Sequence, residues 1–271
     1  MSLHLVSLNS GSNGNSYYVG NEEHGVLIDA GISCKTLEYR MKSLNLPIHR
    51  IRGVFITHEH GDHIGGLSTL AFRHHIPVYA SEGTIKELGS FKDKIPPFVI
   101  QPETPVILED LTITGFKKYH DAADPLSFIV SHSDKHIGIF TDIGTACTNL
   151  RKYFSICHAV LLESNYDEEM LQNGKYPEFL KSRIRGDNGH LSNSQALELF
   201  LSCKADHLEY LCLGHLSKEN NHPDLVRELF EKHAKGIKIE IANRYGITEP
   251  YFLTKEKANY NAPTGQLRLE L

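Results

Sequence analysis

The feature that most constrains this chain is the stretch THEHGDHIGG, which occupies residues 57–66. Three histidines and two acids fall within six of its residues. The apolar run at residues 53–57 predicts a buried strand, whereas residues 64–74 show the 3.6-residue periodicity of a helix. The stretch is therefore predicted to lie where a strand ends and a helix begins, and its side chains are of the types that bind metals.

The spacing of these side chains favours two metal ions over one. His58 and His60 are two residues apart, so on an extended segment they project to the same side. Asp62 and His63 follow Gly61, which allows the chain to turn sharply. The loop can therefore offer one pair of ligands to each of two adjacent ions, and imidazole with carboxylate suits Zn²⁺, Mn²⁺ or Fe²⁺. The alternative interpretation is a histidine-rich surface loop.

Apolar runs bounded by turn residues predict a chain that contains both strands and helices. The predicted strands are residues 3–8, 16–19, 25–29, 53–57, 77–80, 106–108, 111–119, 126–131, 136–141, 159–163, 210–214 and 237–241. The predicted helices are residues 35–44, 64–74, 145–154, 177–184, 193–203 and 223–235. Strands that crowd the first half as hairpins favour an α/β (α+β) fold built as a four-layer αββα sandwich. The alternative is a doubly wound parallel sheet, which the absence of GxGxxG and GxxxxGK(S/T) disfavours.

Charge and cysteine content narrow the class of protein. The formal net charge of −5 argues against a protein that coats nucleic acid by bulk electrostatics, although a local basic groove remains compatible with it. The five cysteines are widely spaced and form no CxxC pair, which is typical of reduced thiols in the cytoplasm. The first residues lack the pattern of a signal peptide, and no apolar run approaches the ~20 residues of a membrane span. We therefore expect a cytoplasmic protein that has no membrane partner.

The 57–66 stretch resembles the HxHxDH motif of the metallo-β-lactamase superfamily, and later segments are similar to that family in the same order. Residues 27–31 (LIDAG) look like the family's early strand end, where Asp29 is implied to orient a ligand histidine or the loop. The resemblance implies further ligands at His120, Asp142 and His215, with Asp142 as a bridging carboxylate. The implied sets are His58, His60, His120 and Asp142 for one ion, and Asp62, His63, His215 and Asp142 for the other. The implied cofactors are two divalent metal ions, Zn or Mn, with Fe as a further option.

A closer resemblance, to the YycJ/WalJ family, covers nearly the whole chain. Its motifs are matched by residues 10–16 (SGSNGNS), 120–122 (HDA), 163–167 (ESNYD), 174–177 (GKYP) and 189–193 (GHLSN). Bacterial members of that family are implicated as 5′→3′ DNA exonucleases, so the resemblance implies a phosphodiesterase whose partner is nucleic acid, DNA more than RNA. Only 73 residues separate Asp142 from His215, which leaves no room for the inserted domain of the β-CASP nucleases. We therefore predict one metallo-β-lactamase-fold domain over residues 1–271.

Phosphodiester hydrolysis gives two residues a predicted catalytic role. Two metal ions about 3.5–4 Å apart can bind a phosphate oxygen and hold a bridging hydroxide for in-line attack. Asp62 could both ligate a metal and orient that nucleophile. His190, whose placement resembles that of an extra active-site histidine in tRNase Z, could protonate the leaving oxygen. The alternative role of His190 is to cap or buttress the helix that follows it.

The stretch at residues 10–16 is a candidate for contact with phosphate. Its glycines permit tight turns that expose backbone N–H groups, and such groups can surround a phosphate. Ser12, Asn13 and Asn15 are the candidate contacts within it. An ordinary hairpin turn is the alternative, because Asn-Gly is a strong hairpin signal.

A basic arm just before His190 is the second candidate for contact with nucleic acid. It contains Lys181, Arg183 and Arg185, and Lys181 and Arg185 are four residues apart, so they share one face of a helix. A local positive surface on an acidic protein fits binding of a phosphate backbone. A solvated helix face is the alternative explanation of these charges.

Three rival functions remain open on the sequence. A tRNase Z-like, RNA-processing nuclease is favoured by the position of His190 but weakened by the lack of a long flexible arm for tRNA. A small-ester or thioester hydrolase, of the glyoxalase II or lactamase type, fits the metal ligands but not the basic arm. A metal-stabilised regulator without catalytic activity is disfavoured by the complete ligand set. The sequence does not predict the oligomeric state.

Overall fold

In the computed structural model, the described residues are 2–90 and 96–253. The strands are β1 (Leu3–Asn9), β2 (Ser16–Gly20), β3 (Gly25–Ile28), β4 (Ile51–Phe55), β5 (Val78–Ala80), β6 (Phe98–Val99), β7 (Val106–Leu108), β8 (Leu111–Lys117), β9 (Leu126–His132), β10 (Lys135–Phe140), β11 (Ala159–Glu163), β12 (Tyr210–Gly214), β13 (Lys238–Ile241) and β14 (Tyr251–Leu253). The helices are α1 (Cys34–Ser43), α2 (Gly61–Ile64), α3 (Leu67–His74), α4 (Glu82–Glu87), α5 (Thr148–Phe154), α6 (Glu168–Asn173), α7 (Glu178–Arg185), α8 (Asn193–Cys203) and α9 (Pro223–Glu231). None of these helices combines the length and the apolar character needed to cross a lipid bilayer.

The strands form two mixed sheets that share one internal pattern. The first sheet has the order β14-β1-β2-β3-β4-β5-β6, and the second has the order β13-β12-β11-β10-β9-β8-β7. In each sheet, three antiparallel pairs on one side are followed by three parallel pairs on the other. Parallel pairing brings the carboxyl ends of neighbouring strands to one edge of a sheet, which is where ligands bind in α/β proteins.

Three apolar layers hold the sandwich together. One layer, which includes Phe55 and Leu161, lies between the two sheets. A second layer, which includes Leu37 and Leu70, packs α1 and α3 on the outer face of the first sheet. A third layer, which includes Phe154, packs α5, α8 and α9 on the outer face of the second sheet. The predicted four-layer αββα sandwich is therefore confirmed, and the doubly wound alternative is wrong.

Short elements account for most of the differences from the sequence prediction. Helices α4 and α6 and strands β6 and β14 were not predicted, and the two helices have only six residues each, fewer than two turns, which is too short for a clear 3.6-residue periodicity. The predicted helix at residues 64–74 is interrupted at Gly65 and Gly66, so α2 and α3 are separate. A Cβ atom at Gly66 would lie 1.9 Å from the carbonyl oxygen of Ile32, so this close approach of two backbones requires glycine.

Candidate metal centre and adjoining cleft

Five strand ends meet at one edge of the sandwich. Asp29 follows β3, residues 57–66 follow β4, Asp142 lies just beyond β10, Glu163 ends β11 and His215 follows β12. Asp29, Asp142 and His215 have φ angles of 62°, 53° and 54°, in the left-handed region that residues other than glycine rarely adopt. Backbone strain of this kind costs about 1–3 kcal/mol per residue and concentrates at functional sites. Its presence at three strand ends marks this edge as the candidate site.

The first group of candidate ligands consists of three histidines. One ring nitrogen of each of His58, His60 and His120 lies within 4.8 Å of the others. Nε2 of His58 is 3.1 Å from Nδ1 of His60. Nδ1 of His120 donates to the carbonyl oxygen of Gly189 at 3.1 Å, which leaves Nε2 of His120 for the site. Three converging imidazoles are a ligand set that divalent transition metals accept.

The second group consists of Asp62, His63 and His215, whose ligand atoms also lie within 4.8 Å of one another. Oδ2 of Asp62 is 3.5 Å from Nε2 of His63 and 3.7 Å from Nε2 of His215. Asp142 lies between the two groups. Its Oδ2 is 3.2 Å from Nε2 of His63, and its Oδ1 is 3.8 Å from Nε2 of His120. The structure thus brings together all seven of the ligands that the sequence suggested.

Unpaired polar atoms in this cluster fit a bound metal. Nε2 of His120, Nε2 of His215 and Oδ2 of Asp142 are buried and have no hydrogen-bond partner among the described residues. An unpaired buried polar atom costs about 1–3 kcal/mol, so three of them in one place call for a ligand. Nitrogen and oxygen donors of these types suit Zn²⁺, Mn²⁺ or Fe²⁺. The donor set therefore fits divalent metal ions.

Asp29 lies directly behind the cluster. Its Oδ2 accepts hydrogen bonds from Nδ1 of His63 at 2.7 Å and from the hydroxyl of Thr57 at 2.8 Å. Its Oδ1 accepts from the backbone N–H of Thr57 at 2.8 Å. In the neutral ring, a proton on Nδ1 of His63 leaves the lone pair on Nε2, the nitrogen that faces Asp62 and Asp142, and this lone pair can bind a metal. These contacts are the ones expected of a carboxylate that orients both a ligand histidine and the loop.

Glu163 is a functional candidate that the site prediction omitted. It is fully buried, and its Oε1 accepts from Nδ1 of His190 at 2.8 Å and from Nδ1 of His215 at 2.9 Å. Its Oε2 accepts from the backbone N–H groups of Ile143 and Leu191 at 2.8 and 3.1 Å. Burial acts to raise the pKa of Glu163, but the adjacent His190 and His215 outweigh burial and lower it to about 2. Its position at the end of a predicted strand was the available signal.

Buried charges of opposite sign face one another across the centre. Burial acts to lower the pKa of His63, but the carboxylate of Asp142 helps to raise it to about 10. Burial acts to raise the pKa of Asp142, but His215 and His63 hold it well below its usual value. Lys118, also absent from the prediction, is buried and donates to the carbonyl oxygen of Thr141 at 2.7 Å. The carboxylates are therefore surrounded by cations, and metal ions would meet the same electrostatic need.

Asn15 is not placed to contact phosphate. Its side chain is fully buried, with Nδ2 3.1 Å from Oδ2 of Asp62 and Oδ1 accepting from the backbone N–H of Gly11 at 2.8 Å. The backbone N–H of Asn15 donates to the carbonyl oxygen of Asp62 at 2.7 Å. A Cβ atom at Gly31 would lie 1.8 Å from that same oxygen, so glycine is required for the loops to meet. The prediction that Asn15 contacts phosphate is wrong, and its side chain instead positions Asp62.

The three residues of the basic arm lie in different environments in the structure. Lys181 is only 8% exposed and donates to the carbonyl oxygen of Gln172 at 2.7 Å. Arg185 donates to the side chain of Gln172 at 2.7 Å, so both residues contact α6. Arg183 instead lines a cleft beside the centre and pairs with Asp121 at 2.5 Å. The prediction that Lys181 contacts nucleic acid is therefore wrong, because burial removes its ammonium group from the surface.

This cleft has a volume of about 210 Å³ and adjoins the candidate metal ligands. Among the residues that line it are Ser12, Tyr176, Arg183, His190, His215 and Arg244. Arg244 was not predicted, and it donates to the side chains of Ser12 and Asn13. No local pattern around residue 244 could have indicated these contacts, because Ser12 is 232 residues away along the chain.

Comparison with known proteins agrees with this geometry. The family model described as "Metallo-beta-lactamase superfamily" matches residues 10–215. The chain is 34% identical over 260 residues to Exodeoxyribonuclease YycJ of Bacillus anthracis, covering 94% of this chain and 98% of the relative. It is 33% identical over 224 residues to Exodeoxyribonuclease WalJ of Streptococcus pneumoniae, covering 81% of this chain and 83% of the relative. A solved structure, the metallo-beta-lactamase fold protein YhfI from Bacillus subtilis, is similar with a TM-score of 0.71 and 16% identity, covering 92% of this chain and 99% of that one.

Proposed function

Because the chain belongs to the metallo-β-lactamase superfamily, we propose that it hydrolyses phosphodiester bonds of DNA as a 5′→3′ exonuclease. The observation that carries this proposal is the meeting of two groups of metal ligands around Asp142, beside a cleft that contains arginine side chains. Similarity to an exodeoxyribonuclease over 94% of the chain supports DNA as the substrate. The 5′→3′ direction rests on the resemblance to the YycJ/WalJ family.

We assign one ion to His58, His60 and His120, a second ion to Asp62, His63 and His215, and Asp142 to both. When bound, the two ions supply Lewis-acid activation of the phosphate and of the attacking water. Asp62 is the residue proposed to orient that water, because its side chain is 24% exposed and its Oδ2 lies among the candidate ligands, 3.5 Å from Nε2 of His63. Burial acts to raise the pKa of Asp62, but His215 outweighs burial and lowers it, so the carboxylate is ionised and can accept a hydrogen bond at neutral pH.

His190 is the proposed general acid. Its side chain is 22% exposed and lines the cleft, and its Nδ1 donates to Glu163. The hydrogen bond to the buried carboxylate of Glu163 fixes the orientation of the His190 ring. Nε2 of His190, when it carries a proton, can then donate that proton to the leaving 3′ oxygen. The alternative role as a helix cap is disfavoured, since Ser192 caps α8 through a capping box with Gln195.

The proposal is tested with a 5′-phosphorylated duplex DNA that carries a label on its 3′ end, incubated with the protein and Mn²⁺. We expect stepwise shortening from the 5′ end by the unchanged protein and no shortening by Asp62→Ala. Asp224→Ala removes a carboxylate that is 86% exposed and outside the proposed site, so this control should cleave DNA normally. Metal content is measured for all three proteins.

Two results would contradict the proposal. The first is an Asp62→Ala protein that cleaves DNA at the normal rate while it binds the normal amount of metal. The second is intact DNA in the presence of fully metal-loaded protein. In that case RNA of the same sequence is the next substrate to test, followed by small esters and thioesters.

A further inference from the structure

Arg244 is held rigidly at the outer wall of the cleft. Its Nη1 donates to Oγ of Ser12 at 3.1 Å and to Oδ1 of Asn13 at 3.3 Å, and its Nη2 donates to the carbonyl oxygen of Leu216. Nδ2 of Asn13 in turn donates to the carbonyl oxygen of Arg244 at 2.9 Å. Two of these partners belong to the stretch at residues 10–16. That stretch therefore fixes the position of a guanidinium group.

Gly11 provides the space that Arg244 occupies. Its φ angle is 143°, in the region where glycine is favoured. A Cβ atom at this position would lie 2.9 Å from Cζ of Arg244. Gly11, Ser12 and Asn13 are therefore explained by the guanidinium group that they surround, whereas Asn15 contacts Asp62 instead.

None of the hydrogen-bond partners of Arg244 in the described residues is a carboxylate, although Asp62 and Glu219 lie near enough to act against the lowering of its pKa by burial. Its three acceptors, on Ser12, Asn13 and Leu216, are all neutral groups. No ion pair within residues 2–90 and 96–253 includes Arg244, whereas Arg183 in the same cleft pairs with Asp121. Arg244 is half-buried, and burial lowers its pKa. A desolvated cation with neutral partners is stabilised when an anion binds beside it.

The size of the cleft limits what this anion can belong to. Its volume of about 210 Å³ is below the roughly 300–1,000 Å³ of pockets that enclose drug-sized ligands. The cleft runs from Arg244 to His190 and His215, so a group bound at Arg244 lies close to the proposed metal centre. Tyr176 also lines the cleft and supplies an aromatic surface that can contact a base. One nucleotide fits these limits better than a longer piece of the strand.

We propose that this cleft binds the terminal nucleotide of the DNA strand and that Arg244 binds the 5′-phosphate of that nucleotide. This inference rests on the proposed exonuclease function and adds the reason why cleavage is confined to strand ends. The oxygen of water bonds to the next phosphorus along the strand and loses one proton to the solvent, and the bond from that phosphorus to the 3′ oxygen of the terminal nucleotide breaks. The 3′ oxygen takes a proton from His190, and a nucleoside 5′-monophosphate leaves the cleft.

The test compares two duplexes of one sequence that differ only in carrying a 5′-phosphate or a 5′-hydroxyl group. We expect kcat/KM to be about 10- to 100-fold higher for the 5′-phosphate end, since a hydrogen bond to a charged group contributes about 1.5–3 kcal/mol. Arg244→Gln should remove this preference, and Arg244→Lys should retain part of it, because lysine keeps the charge and loses the forked geometry. Circular dichroism and metal content show whether each variant is folded and loaded.

Arg183→Gln is the matched control, because it removes the other arginine of the cleft. This variant should slow the cleavage of both duplexes by the same factor and leave the ratio unchanged. Equal rates for the two duplexes with the unchanged protein would overturn the inference while leaving the proposed function intact. A phosphate preference that persists in Arg244→Gln would also overturn it.

The inference remains testable if neither duplex is cleaved, a result that would refute the proposed function. Fluorescence anisotropy then measures binding of the same two duplexes to the metal-loaded protein. Tighter binding of the phosphorylated duplex that depends on Arg244 would support the terminal-phosphate site by itself. Equal binding of the two duplexes would overturn that site as well.

Discussion

Replacing Glu163 with glutamine should disable the centre although the shape of the side chain barely changes. Oε1 of Glu163 accepts from His190 and His215, and Oε2 accepts from the backbone N–H groups of Ile143 and Leu191. All four partners are donors, and an amide has only one accepting atom. If the amide oxygen serves the backbone, its NH₂ group faces both imidazoles. These rings must then carry their proton on Nε2, which prevents Nε2 of His215 from binding a metal.

The expected loss of metal binding and turnover in Glu163→Gln follows from the negative charge of Glu163. The pKa of Glu163 is lowered from 4.5 to about 2. Each pKa unit corresponds to about 1.4 kcal/mol, so the surroundings favour the ionised carboxylate over the neutral acid by about 3 kcal/mol. We expect a loss of metal affinity of about 10- to 100-fold, as is typical when a partner of a ligand histidine is removed. Turnover should fall by a further ~10²–10⁴-fold, because His190 loses the carboxylate that orients its ring for proton transfer to the leaving oxygen.

The assay measures metal content after dialysis against buffers of known free Mn²⁺ and then the rate of DNA cleavage at saturating metal. The matched control is Asp110→Asn, since Oδ2 of Asp110 also pairs with a histidine, Nε2 of His132, at 3.1 Å, but outside the metal centre. The control should bind metal and cleave DNA normally. Normal metal affinity together with normal turnover in Glu163→Gln would refute the reasoning.

Three further predictions concern the supports of the centre and the stability of the fold. Gly31→Ala should abolish metal binding, because the added Cβ atom would lie 1.8 Å from the backbone oxygen of Asp62. Gly61→Ala is the control and should bind metal normally, because no atom lies within 4 Å of its Cβ position. The metal content of the two purified proteins tests this difference. Lys118→Met should lower the free energy of unfolding by about 1–3 kcal/mol, because it leaves the buried carbonyl oxygen of Thr141 without its donor, and denaturant titration measures this loss. His4→Phe should make the fold less sensitive to acid, because burial lowers the pKa of His4 from 6.5 to about 4 and the unfolded chain therefore binds more protons than the folded one. The free energy of unfolding of the wild type should fall by about 3 kcal/mol between pH 6.5 and pH 4. Thermal unfolding at both pH values should show a smaller fall in the variant.

The local sequence pattern was sufficient to predict much of the fold. The alternation of apolar residues and turn residues predicted twelve of the strands, because strand formation and turn chemistry depend on neighbours along the chain. The same locality explains why residues 57–66 indicated a candidate metal centre, since three histidines and two acids lie within six positions. His120, Asp142 and His215 are single residues in ordinary surroundings. They were found only because their order resembles that of a family.

Tertiary structure decided which charged and polar groups serve the site. Lys181 and Arg183 are two residues apart on one helix, yet the first is buried against Gln172 and the second lines the cleft. Glu163 contacts His215 across 52 residues of sequence, and Arg244 contacts the 10–16 stretch across more than 200. The sequence by itself determined the two-sheet sandwich and the ligand cluster, because periodicity and spacing are local properties. Packing alone decided which charges are buried, paired or left unbalanced, because these depend on groups that are distant along the chain and adjacent only after folding.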